Sequence, residues 1–242
     1  MNGSDWRSQP VALMLLRAGL SLLTRRYSTH LEESLSKGLE GATGMPLAFT
    51  GGIGAILAYL ICSATAWWLY PGTFGPLRNW LSDLGNPLRN PAGSVWYNAG
   101  CILTALGLLL FVLGLSSWRS GRSTGNALIA TSQLTGLASV ISLAMIGVYS
   151  ENHLRQHMIS SNWFFACFPL FIVLFSTGVI THPRSRKDIG MLGLGVVLLG
   201  LLFHLIFPKS RPLEWVTELG FLVYVGVVAW STRHPSSPAI GG

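Results

Sequence analysis

The stretch Gly100-Cys101-Ile102-Leu103-Thr104-Ala105-Leu106-Gly107-Leu108-Leu109-Leu110-Phe111-Val112-Leu113-Gly114-Leu115 holds no charged residue and a single hydroxyl. It is the centre of an apolar run over about 95–118. A helix needs roughly 20 apolar residues to cross a hydrocarbon core about 30 Å thick. Five further runs meet that length, over about 47–70, 127–149, 157–181, 189–207 and 213–231. The composition agrees: 50% of the 242 residues are apolar and 10% are charged, and the mean hydropathy is +0.49. A soluble domain carries about 25% charged residues, so a water-soluble globule is excluded. The expected fold is all-α, a polytopic membrane protein whose six-transmembrane-helix bundle spans 47–231. An N-terminal extension, 1–46, precedes it and a short tail, 232–242, follows.

The net charge of +7 does not point to nucleic acid, because the basic residues lie between the apolar runs and so report orientation across a membrane. One side collects Arg7, Arg17, Arg25, Arg26, Lys37, Arg119, Arg122, Arg184, Arg186, Lys187 and Arg233, eleven in all. The other has Arg78, Arg89, Arg155, Lys209 and Arg211, five in all. Both termini are therefore expected in the cytoplasm of a cell membrane, with membrane lipids as the partners and no nucleic acid. Residues 6–31 carry four Arg and no acid, a composition shared with mitochondrial transit peptides, so the inner mitochondrial membrane is the alternative location. Two other readings of this segment are an amphipathic helix on the cytoplasmic leaflet and an unstructured extension. Trp67, Trp68, Tyr70, Trp96, Tyr97 and Trp118 fall at predicted helix ends, where interfacial aromatic belts form. Cys62, Cys101 and Cys167 lie inside apolar runs and read as small core residues, not as a disulfide framework. The clusters at Gly51 to Gly54 and Gly190 to Gly195 read as close-packing helix faces.

Ionisable groups in or beside hydrocarbon are costly, so their placement is informative. The outer side gathers Asp83, Glu151, His153, His157, Glu214 and Glu218, with His204 near the outer end of the fifth span. In the connection 71–94, Pro76 suits a helix start and Gly85 a helix stop. A short interfacial helix between them would place Ser82 and Asp83 in its last turn, where an acid opposes the helix dipole. Ser150 is expected to cap the fourth helix with Glu151 in its first turn, so that His153 and His157, four apart, share a face and can ligate one metal. The candidate metal ligands are thus His153, His157 and His204, with zinc as the candidate ion, and Asp83 or Glu151 as the base that works on bound water. Each residue also has a bland reading as a cap, a seal or a packing group.

Leu81-Ser82-Asp83-Leu84-Gly85-Asn86-Pro87, Asn90-Pro91, Trp96-Tyr97-Asn98-Ala99-Gly100-Cys101-Ile102-Leu103 and Gly147-Val148-Tyr149 followed by His157 resemble the bacterial and archaeal family known as domain of unknown function 998. The resemblance covers about residues 47–231 and implies six transmembrane helices. More distantly, the arrangement is similar to the Frag, DRAM and Sfk membrane proteins, which implies a link to lipid handling. Ser82, Asp83, His153, His157 and His204 also supply the residue types with which membrane hydrolases of the ceramidase and progestin-receptor superfamily hold zinc, although in a different order and spacing. Three functions follow as expectations. The first is binding or organising lipid at the outer leaflet. The second is metal-dependent hydrolysis of a lipid or other amphiphile. The third, a proton-coupled carrier, is disfavoured because no ionisable residue lies near the predicted midplane of any span.

Overall fold

The computed structural model describes residues 44–119, 123–181 and 186–233, with four isolated positions before them, Ser34, Lys37, Gly38 and Gly41. The chain divides into Met1–Gly44 and Met45–Gly242. The N-terminal amphipathic or transit segment therefore lies largely outside the described residues, as do residues 234–242 of the tail.

Within the second unit the helices are α1 (Leu47–Trp68), α2 (Ser94–Gly114), α3 (Ser123–Val148), α4 (Leu154–Ile180), α5 (Lys187–Ile206) and α6 (Arg211–Arg233). All six are long and apolar enough to cross a membrane, and no strand occurs among the described residues. Two short 3-10 helices accompany them, η1 (Leu81–Gly85) in the α1–α2 connection and η2 (Leu115–Trp118) at the end of α2. Several helices begin a few residues before their apolar runs, because the first turns take in polar residues such as Ser123, Lys187 and Arg211.

Lipid offers little hydrophobic drive between helices, so close approach of backbones decides which helices pair. Gly100, Gly107 and Gly114 recur every seven residues on α2 and meet Cys62, Ala55 and Ala48, which recur at the same interval on the antiparallel α1. A Cβ at Gly107 would lie 2.6 Å from the Ala55 backbone nitrogen. Both glycine clusters contribute to packing in part: Gly51, Gly52, Gly190 and Gly193 abut neighbouring helices, whereas Gly54 and Gly195 face open space. The core between helices is aromatic, with Phe111, Phe168, Phe171 and Phe175 fully buried, and all three cysteines are buried free thiols. Tyr97 departs from the expected aromatic belt. It is buried at the start of α2, whereas Trp68 is almost wholly exposed.

Helix α5 is the loosest member: 17% of its apolar window is buried, against 50% for α4. Its first half is held close, since Gly190 sits on Ser176 and Ile180 of α4, and Gly193 sits on the Ser176–Tyr224 pair, whose hydroxyls are 3.0 Å apart. From Val196 onward α5 borders a cavity instead.

Candidate functional site

The α1–α2 connection forms a clasp over one end of the bundle. The expected helix from Pro76 to Gly85 is reduced to the five residues of η1, because polar anchors from other helices fix the backbone more tightly than its own periodicity does. Asp83 falls in the first turn, so its charge favours the helix rather than opposing the dipole. Its Oδ2 accepts the Trp80 backbone N–H at 3.2 Å, one half of a capping box, and the Asn79 side-chain amide at 3.4 Å. Its Oδ1 accepts Arg89 Nη1 at 2.5 Å. Asp83 is buried and both its oxygens are taken.

Anchors in α1, α2, α6 and the α3–α4 turn fasten this clasp. Glu214 of α6 accepts the backbone N–H of Leu81 at 2.8 Å and of Ser82 at 3.3 Å, so a remote side chain caps η1. Trp215 Nε1 donates to the Asn79 carbonyl at 3.2 Å. The fully buried Asn90 donates to the carbonyls of Ala66 and Leu84, each at 3.0 Å, and Asn98 donates to that of Gly85 at 3.0 Å. Glu151 accepts the Asn86 amide at 2.8 Å. Tyr70, at the root of the clasp, packs its ring on Phe74 at 4.8 Å. Burial, and then the Asp83 carboxylate, push its phenol above the ordinary tyrosine value.

Ser150 does not cap α4, and Glu151 is not in its first turn. The helix begins at Leu154 with His153 as the capping position, while the Ser150 hydroxyl pairs with Asn152 Oδ1 at 2.5 Å. His153 consequently precedes the helix, stays exposed and contacts Asn152. His157 is buried, 6% exposed, with Nδ1 3.0 Å from the Tyr149 carbonyl oxygen. A carbonyl only accepts, so Nδ1 carries the proton, and in the neutral ring Nε2 presents a lone pair.

Beneath the clasp, α4, α5 and α6 line a cavity of about 740 Å³, open at the side where Met158, Leu199 and Leu201 are exposed. Its α4 wall is a ladder at four-residue spacing, His157, Ser161, Phe165 and Pro169. Val196, Val197, Gly200, Leu201 and His204 supply the α5 wall, and Glu214, Thr217, Gly220 and Phe221 that of α6. Ser82 and Glu151 reach its mouth from the connections. The polar groups concentrate at the clasp end and the apolar ones lie deeper, which makes the cavity amphipathic along the helix axes.

The structure thus brings His157, His204 and Glu151 to one cavity and leaves Asp83 and His153 off its wall. The three histidines do not converge: among the described residues no three His, Cys, Asp or Glu are placed to hold a metal ion. Separately, Glu218 lines a small interior chamber with Tyr59 of α1 and Thr104 of α2, near the middle of those helices. This departs from the expectation that no ionisable residue lies near the midplane of a span: Glu218 counts with the outer-side acids from α6 alone, because it sits two turns from that helix's start.

The model of a family described as protein of unknown function (DUF998) matches residues 53–234, from within α1 to just past the end of α6. The chain belongs to this family. Comparison with curated proteins and with solved structures returns no match. The region shared with DUF998 contains the whole clasp and every residue of the cavity wall. In this DUF998 member, then, Leu81 to Asn90 form the clasp whose Ser82 borders the cavity. Ser161, Asn162 and Thr217 also belong to the cavity and carry only a weak sequence signal, a polar residue repeating the α4 or α6 period within an apolar run.

Proposed function

We propose that this integral membrane protein binds a single amphiphile of the bilayer, with its tail between α4, α5 and α6 and its polar group under the clasp. One observation carries the reading: the cavity grades from Phe165, Pro169, Val196, Leu201 and Phe221 to Ser82, Glu151, His157 and Glu214 along one axis. Its volume falls in the range of about 300–1,000 Å³ that small-molecule pockets occupy. Loose packing of the second half of α5 supplies a lateral way in from lipid. The excess of Lys and Arg at the opposite end of the helices supports placing the clasp on the outer side, with both termini cytoplasmic. On that reading the ligand comes from the outer leaflet.

Photolabelling in lipid vesicles with a long-chain alcohol bearing a diazirine tests this. Label is expected on α4, α5 and α6 peptides. A Cβ at Gly200 meets nothing nearer than Thr217 Oγ1 at 3.9 Å, so Gly200→Phe fills the cavity without striking backbone and is expected to cut labelling several-fold while the protein stays folded. Label spread evenly over all six helices, or indifferent to Gly200→Phe, overturns the reading.

A further inference from the structure

The charge at the mouth is opposite in sign to that of the protein. The chain carries a net +7, yet among the 21 residues lining the cavity there is no Lys or Arg, and the two acids there are Glu151 and Glu214. Among the described residues neither acid has an ion-pair partner, since the two ion pairs are Arg89–Asp83 and Arg186–Asp188. Arg155, Lys209 and Arg211 stand at the same end of the bundle but do not line the cavity.

These acids are not equivalent. Glu214 spends both oxygens on the backbone of Leu81 and Ser82, so it offers the cavity little further hydrogen bonding. Glu151 gives one oxygen, Oε2, to Asn86 and retains the other. His157, more than nine-tenths buried, has Nδ1 engaged and in its neutral form offers Nε2 as an acceptor. The mouth is therefore an arrangement of acceptors, with the Glu151 carboxylate outside any ion pair, above an apolar chamber. A primary ammonium, which brings three N–H donors, no acceptor and a positive charge, answers it. A phosphate or carboxylate headgroup brings acceptors and negative charge to a wall without cations.

We infer that the ligand is an amphiphile with a cationic amine headgroup, held between Glu151 and His157. This rests on the amphiphile reading above and gives that ligand its chemical class.

Competition against the diazirine alcohol in vesicles, using dodecylamine, dodecanol and dodecanoate as unlabelled probes, separates charge from chain. Dodecylamine is expected to compete about tenfold or more better than dodecanol, since ion attraction in a partly buried site exceeds one decade of affinity, and dodecanoate worst. Glu151→Gln keeps an acceptor for Asn86 and removes the charge, so it is expected to narrow the ratio of amine to alcohol. Equal competition by all three probes overturns the headgroup assignment and leaves amphiphile binding standing. An unchanged ratio in Glu151→Gln likewise overturns it. Failure of every probe, with no specific label on α4, α5 and α6, sinks both readings.

Discussion

Glu214 accepts the backbone N–H of Leu81 at 2.8 Å across 133 positions of sequence. A buried N–H left without an acceptor costs about 1–3 kcal/mol, and the same carboxylate also serves Ser82. Glu214→Ala is therefore expected to lower the detergent-solubilised melting temperature by more than Glu214→Gln, which retains one oxygen. Amide exchange at Leu81 and Ser82 should rise in step. Unaltered exchange there would show that the cap contributes nothing.

The Asp83–Arg89 pair is lopsided, with the Asp83 side chain 1% and the Arg89 side chain 53% exposed. Removing the exposed partner, Arg89→Ala, should cost no more than about 1 kcal/mol. Asp83→Ala also strips acceptors from Trp80 and Asn79 and should cost about 2 kcal/mol or more. Thermal melts of the two variants check the order, and equal losses would mean that the ion pair, not the cap, is what matters.

Gly107 tests the seven-residue packing seam. Gly107→Ala forces a methyl against the α1 backbone and should destabilise by about 1–3 kcal/mol, as overpacking does. Gly54→Ala, where a Cβ meets nothing within 4 Å, should instead be neutral or gain up to about 1 kcal/mol from helix propensity. Similar melts for both would remove the seam from the account of the fold.

His157 can be divided into its two nitrogens. An Asn amide reaches as far as Nδ1, so His157→Asn should keep the bond to Tyr149 and most of the stability, while losing the Nε2 acceptor and with it the amphiphile competition. His157→Phe should lose about 0.5–1.5 kcal/mol as well. Because catalytic zinc takes about three protein ligands and the three histidines do not meet, elemental analysis is expected to find no stoichiometric zinc and chelator to leave the melt unchanged. Zinc present in the parent protein and absent from His157→Asn would restore the metal site.

The six spans were legible because burial in lipid demands long apolar runs, and the family was legible in Leu81 to Asn98. What the clasp does with those residues was not. Asp83 read as a candidate base because its cap partner is a backbone N–H, which every sequence has and no pattern marks. Placing His153 and His157 on one helix face assumed that α4 begins at Ser150. The turn through Asn152 moves that start to Leu154 and leaves the first histidine outside. The cavity could not be read either, since it arises where α5 diverges after Gly193, a matter of how neighbours fit and not of any residue's hydropathy.

A ribosome makes the clasp long before it makes the anchors that close it. When Leu81 and Ser82 emerge, the carboxylate that will cap them lies 133 and 132 residues downstream, in α6. Until α6 arrives, η1 has unsatisfied donors at the membrane surface. The lid over the cavity thus sets only once α6 is in place. A chain truncated before Arg211 should insert five helices yet leave this segment open to protease, so closure of the clasp reports the arrival of α6.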